Sequence, residues 1–199
     1  MNVTTQLDNY VKALIPEPFT ILGVELKPFC LGHIFLMRRF DCKFSSDDPT
    51  ALGGIDDLIL GIAICSRTYE EFLEFINTPD EFLYWCREWG KAIRKHIKKN
   101  KSFSIIQQFT LFKEYMKSGV VTPKYWETQS TDDAMQSGAH WTHSVLTTLT
   151  SDLGYTQTEA LNVSVAKALS DYYKHLERNG VVNLMSDEEL EIIAKAEQK

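Results

Sequence analysis

Five histidines and four cysteines are the side chains with the widest chemical range in this 199-residue chain. His140 and His143 lie three positions apart, so they share one face of a helix, the first requirement of a two-histidine ligand pair. A metal centre needs a third and a fourth ligand. Asp132 and Asp133 are close in sequence, but the Cys and acidic residues do not fall at ligand spacing, and Trp141 between the two histidines belongs to an apolar helical stripe. Ordinary, partly exposed histidines are the expectation. Cys65-Ser66 allows a nucleophile–base pairing with His33, His96, His140, His143 or His175 on paper. The chain has no G-x-S-x-G turn to carry it, and Cys65 ends an apolar run, as buried structural thiols do. Gly53-Gly54 precedes an apolar helix as a phosphate loop would. Ile55-Asp56-Asp57 follows in place of the required Lys-Ser/Thr, and two carboxylates repel a phosphate. These readings give no catalytic, metal or cofactor residue and predict that the protein is not an enzyme.

Two further stretches carry chemistry suited to binding. Lys91, Arg94, Lys95, Lys98, Lys99 and Lys101, with His96 among them, form the one concentrated basic stretch. They could contact phosphates of a nucleic acid or an acidic protein partner. They also lie at the C-terminal end of a helix that opens with Asp80-Glu81, where basic charge complements the helix dipole. A solvated face or a salt-bridge surface for an acidic protein is therefore the stronger expectation. The second stretch is the helix from Ser102 to Ser118, apolar over more than one stripe through Phe103, Ile105, Ile106, Phe109, Leu111, Phe112, Tyr115 and Met116. Such a helix is central in a core or has a partner. Phe103, Ile106, Phe109, Phe112, Tyr115 and Met116 are the candidate partner-binding face.

The frame that must position these residues is helical. Ten Gly and six Pro make about 8% of the chain, below the usual share, which argues against a loop-rich β-sandwich. The last Pro is Pro123. Four capping-box patterns, Thr68/Glu71, Thr78/Glu81, Thr156/Glu159 and Ser186/Glu189, mark helix starts. Phe82, Cys86, Trp89, Ile93 and Ile97 form one helical stripe; Trp141, Val145 and Leu149 form another, on a helix from about 133 to 152 ended by Gly154. Leu161, Val165, Ala168, Tyr172 and Leu176 form a third, running to Gly180, with Ser164 placed to cap a second start within it. Ahead of these, Leu7 to Ile15 reads as a short helix, Phe19 to Phe29 as a hairpin, Gly32 to Phe40 as a helix and Ser45 to Pro49 as a turn. Val120 to Gln129 reads as extended or looped. The expected fold is mainly α: a compact multi-helix domain with a small N-terminal β-hairpin. Its regions are 1–52 (hairpin and short helices), 53–119 (central helices) and 120–199 (C-terminal helices), together forming one globular unit.

The net charge of −6, from 21 basic and 27 acidic residues, disfavours a surface that grips nucleic acid or anionic membrane throughout. The longest apolar run, Leu58 to Cys65, falls far short of the ~20 residues of a membrane span. The first eight residues have neither a basic n-region nor an apolar core, so no secretory signal is expected. The cysteines have no tight pair spacing and three sit in strongly apolar surroundings, which points to a reduced compartment.

Two stretches together carry a resemblance. One is Leu22 to His33 (LGVELKPFCLGH) followed by Asp56 to Ser66 (DDLILGIAICS). The other is Leu153 to Leu169 (LGYTQTEALNVSVAKAL), continuing into Tyr172-Tyr173 and Glu177 to Gly180. The combination resembles the tail assembly chaperones and tail-region accessory proteins of tailed bacteriophages, along most of the chain. It departs from that pattern at Val163, where a Met-Pro-like helix break is usual. The resemblance implies a protein of the host cytoplasm, possessing no cofactor, that binds the apolar, helical tape measure protein and keeps it soluble during tail assembly. It also implies that a longer, frameshifted form can exist; association with further copies of the chain is a separate expectation. The alternatives from the residues are a structural tail or head–tail subunit of the virion and, less favoured, a nucleic-acid-binding module using residues 91–101.

Overall fold

The computed structural model describes residues 11, 14–15, 18–45, 53–99, 104–128 and 140–196. Among them the chain is mainly helical, with nine α-helices and two small antiparallel sheets of two strands each. No helix of the described residues is long and apolar enough to cross a membrane. Most of the expected helix from Leu7 to Ile15, most of the turn from Ser45 to Pro49, the acidic pair Asp132-Asp133 and the first part of the helix expected from 133 lie outside the described residues. The chain divides into two compact units, and the boundary falls between Ser118 and Gly119.

The unit Pro18–Ser118 begins with the expected hairpin, β1 (Phe19–Ile21) and β2 (Val24–Leu26), paired Phe19↔Leu26 and Ile21↔Val24. Its two-residue loop, Leu22-Gly23, has φ of 51° and 78°, the paired positive values of a type I′ turn. Five helices follow: α1 (Leu31–Arg39), α2 (Ile55–Cys65), α3 (Tyr69–Ile76), α4 (Pro79–Lys99) and α5 (Ile105–Gly119). Residues 18–45 and 53–118 share one unit because α1 packs directly on α2.

The central helix is α2, and its composition explains why. Leu58, Ile59, Gly61, Ile62, Ala63, Ile64 and Cys65 are all buried, so it is covered on nearly every side. By contrast α5, read from its sequence as apolar over more than one stripe, buries only Phe112 and Tyr115 completely. Phe112 reaches α2 across Gly61: a Cβ at Gly61 would lie 2.5 Å from Phe112 Cζ, so only glycine admits the ring.

Polar ties between distant residues complete this unit. Tyr115 donates its hydroxyl proton to the Lys27 carbonyl at 2.8 Å. His33, 1% exposed, accepts the Cys30 N–H at Nδ1 (3.3 Å) and donates from Nε2 to the Arg67 carbonyl (2.9 Å). Both ring nitrogens are thus satisfied in the neutral form. Burial lowers its pKa from 6.5 to about 4. The Asp57 carboxylate accepts the Lys43 N–H at 2.9 Å and the Gly54 N–H at 2.7 Å, clasping the 3-10 turn Lys43–Ser45 to the start of α2. The Gly54 amide that a phosphate would have used is thereby taken. Cys30, Cys42 and Cys65 are buried as free thiols and Cys86 is half-buried.

The unit containing Gly119–Lys199 has a different texture. It comprises β3 (Tyr125–Glu127), α6 (Trp141–Ser151), α7 (Gln157–Asn162), α8 (Val165–Arg178), β4 (Val182–Leu184) and α9 (Asp187–Ala196). β3 pairs with β4, placing Trp126 opposite Asn183. The core is built from small and β-branched side chains, among them Val145, Ala160, Val165, Ala168 and Val182, with Leu149 and Leu190. Helix ends are set locally. Thr156 accepts the Glu159 N–H at 3.2 Å while Glu159 accepts the Thr156 N–H at 2.9 Å. Ser186 and Glu189 repeat the reciprocal pair. Val163 is extended (φ −65°, ψ 141°) and separates α7 from α8, and Ser164 caps α8 by accepting the Lys167 N–H. Gly154 and Gly180 have φ of 75° and 72°, the left-handed backbone that closes a helix. Of the four expected capping boxes, the one at Thr68/Glu71 is also complete. At Thr78 the hydroxyl lies 2.9 Å from the Phe75 carbonyl and 3.2 Å from the Glu81 carboxylate.

Candidate functional site

The features that could engage another molecule gather along α4 in the unit Pro18–Ser118. Of the stripe expected on this helix, Ile93 is buried and Phe82, Cys86 and Trp89 are half-buried, while the side chain of Ile97 lies outside those described. Towards the helix start it becomes an aromatic ladder. Trp85 and Trp89 stack with centroids 5.0 Å apart, and Phe75 of α3 meets both Trp85 and Phe82 edge-on. The Arg67 guanidinium lies over Phe75 at 4.0 Å and donates to the Ala63 carbonyl at 3.0 Å. A cation–π contact and a hydrogen bond at one group hold these rings in place.

Beside the ladder opens a largely apolar groove of about 580 Å³. Trp89, Ala92 and Ile93 form its α4 wall, Gln108 and Leu111 its α5 wall, and the hairpin contributes Thr20 and the Leu22-Gly23 turn. Gln108 Oε1 accepts the Leu22 N–H at 3.1 Å, tying the turn to α5. The volume lies in the range of binding clefts in general.

The residues read as binding candidates divide among different settings. Phe112 and Tyr115 are core side chains, at 0% and 3% exposure, so the expectation that they meet a partner is corrected. Phe112 fills the space over Gly61, and Tyr115 bonds the Lys27 carbonyl. Phe109 and Met116 are half-buried, and Phe109 lies against Phe44. Ile106 is 71% exposed but stands on a different flank of α5 from Leu111. Phe103 lies outside the described residues. Leu111, which the sequence placed in the same helix but not on the partner face, is the α5 residue that lines the groove.

Lys91, Arg94, Lys95, Lys98 and Lys99 are all exposed on α4; Lys101 lies outside the described residues. Lys91 pairs with Glu88 at 2.7 Å. Helical spacing puts Lys95 and Lys99 on the flank next to Ala92, together with Glu88, which Lys91 pairs, while Arg94 and Lys98 fall on the far face. Neither Lys95 nor Lys99 forms an ion pair among the described residues.

Of the other histidines, the side chain of His96 lies outside those described. His140 caps α6, its Nδ1 accepting the Thr142 N–H, while His143 is exposed. His175 lies 3.5 Å from the half-exposed Asp152 carboxylate and 2.8 Å from the Asn179 amide nitrogen. Among the described residues no three His, Cys, Asp or Glu side chains cluster as metal ligands. In the other unit, Asp171 accepts from the Tyr155 hydroxyl and from Lys167, both at 2.6 Å, and anchors the residue after Gly154 to α8.

No protein-family model, curated protein or solved structure matches the chain.

Proposed function

We propose that the chain is a non-enzymatic tail assembly chaperone of a tailed bacteriophage, which covers apolar helical surface of the tape measure protein in the host cytoplasm until tail-tube subunits enclose it. The resemblance carried by Leu22–His33, Asp56–Ser66 and Leu153–Gly180 supports the choice of client. The observation that carries a binding role is the groove between α4 and α5, largely apolar, with Lys95 and Lys99 along one flank. Exposed apolar helices aggregate before assembly, and reversible covering by a groove of this kind lowers that hazard.

Co-expression with a tape-measure fragment tests the reading. The fragment remains in the soluble fraction when the parent protein is present. It returns to the pellet with Ala92→Glu, which places a carboxylate in the α4 wall at an exposed position where folding is undisturbed. Unchanged solubility with and without the parent protein refutes the chaperone reading.

A further inference from the structure

Leu22 sits where a leucine is least expected. It occupies the first central position of a type I′ turn, with φ of 51°. That position favours Asn, Asp or Gly, because a Cβ crowds the neighbouring carbonyl in left-handed backbone. Two-residue hairpins formed for stability alone take those residues. The strain is not explained by burial in the unit's own core. Ile21, one residue earlier, is fully buried, while Leu22 is half-buried and lines the groove. Gln108 holds the residue in place through its N–H. Strained backbone maintained beside a cleft is a mark of a binding position.

The groove also specifies its occupant. It runs between two helices, and its walls offer Trp89, Ala92 and Ile93 on one side and Leu111 on the other. This is the setting into which an amphipathic helix lays an apolar stripe. Along the α4 flank, Glu88 is held by Lys91 at 2.7 Å, while Lys95 and Lys99 stand exposed beyond Ala92 and form no ion pair among the described residues, so the flank is net basic and an acidic flank on the incoming helix complements it. On α5, exposed Glu114 lies near Leu111 by helical spacing, which makes the two rims unlike in charge and sets the direction in which an acidic flank can face.

We infer that Leu22 is kept in left-handed backbone to press its side chain onto an amphipathic partner helix, acidic along the flank that meets Lys95 and Lys99, bound in the groove between α4 and α5. The inference rests on the groove being the client site. It adds the charge pattern of the bound segment and a residue that trades fold stability for recognition.

The test uses the full chain and synthetic amphipathic helices of about 18 residues, long enough to hold helical structure. One has an apolar stripe flanked by Glu, the other the same stripe flanked by Lys; binding is followed by tryptophan fluorescence. Leu22→Asn accepts the turn's backbone and raises the midpoint of thermal unfolding by about 4 °C, while weakening the Glu-flanked helix about tenfold. Leu22→Gly, which also accepts the backbone, shows the same loss of binding and guards against an Asn variant that misfolds. The Lys-flanked helix binds the parent protein more weakly than the Glu-flanked one.

Lower unfolding midpoints for both variants would make Leu22 a fold-holding residue and overturn the inference. So would equal binding of the Glu-flanked helix by parent and variants, equal binding of the two helices, or self-association of the chain that the Glu-flanked helix does not displace. If the parent protein keeps the tape-measure fragment soluble in any of these cases, the chaperone reading stands and this inference alone fails. If the parent protein neither binds the Glu-flanked helix nor alters the fragment's solubility, both fail.

Discussion

The two units differ in the polar bonds that fix their helices, although the second also has distant ties at its surface, from Thr128 to the Gly180 carbonyl and from Trp126 to Glu189. In Pro18–Ser118 the decisive bonds join distant positions: His33 to Arg67, Lys27 to Tyr115, Leu22 to Gln108. In Gly119–Lys199 many of the polar bonds that define helix ends join residues three apart: Thr156 with Glu159, Ser164 with Lys167, Ser186 with Glu189. The cores differ in the same sense. The first is built on interlocking rings, with Phe44, Phe112, Tyr115 and Phe29 in successive contact. The second uses Val, Ala and Leu. Long-range ties make a unit in which one side chain holds several elements, whereas local caps make one whose helices are each defined by their own ends.

This contrast is open to direct attack. The largest effect is expected from Phe112→Ala, which empties the space over Gly61 and separates Phe44 from Tyr115. A loss of about 3–5 kcal/mol is expected in chemical denaturation, with hydrogen exchange accelerating together in α1, α2 and α5. If only α5 amides respond, the first unit is not held in common and the comparison breaks.

The next effect is pH-dependent and belongs to the same unit. His33 has a pKa of about 4 in the folded protein against 6.5 as its ordinary value. Above 6.5 neither state carries the proton and the unit has its full stability. Between 6.5 and 4 only the unfolded chain takes the proton up, so stability falls as pH falls. The whole loss, roughly 3 kcal/mol, is reached below about pH 4. Thermal unfolding across this window, compared with His33→Gln, measures it. The variant is less stable at neutral pH, and its slope between pH 6.5 and 4 is shallower. An unchanged slope would remove His33 as the cause.

The smallest effect sharpens the other side of the comparison. Ser164→Ala removes the cap of α8 and costs about 1 kcal/mol. Faster hydrogen exchange is expected in the first turn of α8, while α2 amides keep their rates. Loss of protection throughout both units would show that the caps are not local devices.

The same division explains which features were legible in the sequence. A capping box needs only four residues, so the boxes at Thr68, Thr156 and Ser186, the second start at Ser164 and the helix ends at Gly154 and Gly180 could be read directly. The hairpin was legible for the same reason. The site was less so. Both α2 and α5 are rich in apolar residues, and nothing local says that Gly61 would admit Phe112 and turn that side of α5 inward. The groove needs Leu22, Ala92 and Gln108 together, and no spacing rule joins positions so far apart. Gln108 in particular gives no signal of its own. The basic stretch was visible, but only the packing of Trp89, Ala92 and Ile93 shows which side of α4 faces the cleft, and with it that Lys95 and Lys99 lie nearer to it than Arg94. His140 was read as an ordinary surface histidine because its capping role depends on the backbone angle before α6.

The distribution of sulfur gives the first unit a private reporter. All four cysteines lie within Pro18–Ser118. Burial pushes the thiols of Cys30 and Cys42 up to about 12 and about 11, and that of Cys65 well above its usual range, so almost none of the three is thiolate at neutral pH. An alkylating reagent therefore consumes Cys86 first and the other three only when this unit opens. Their modification rate clocks that opening in the intact chain, in the presence of a client or any other protein that lacks cysteine, and is silent about everything beyond Ser118.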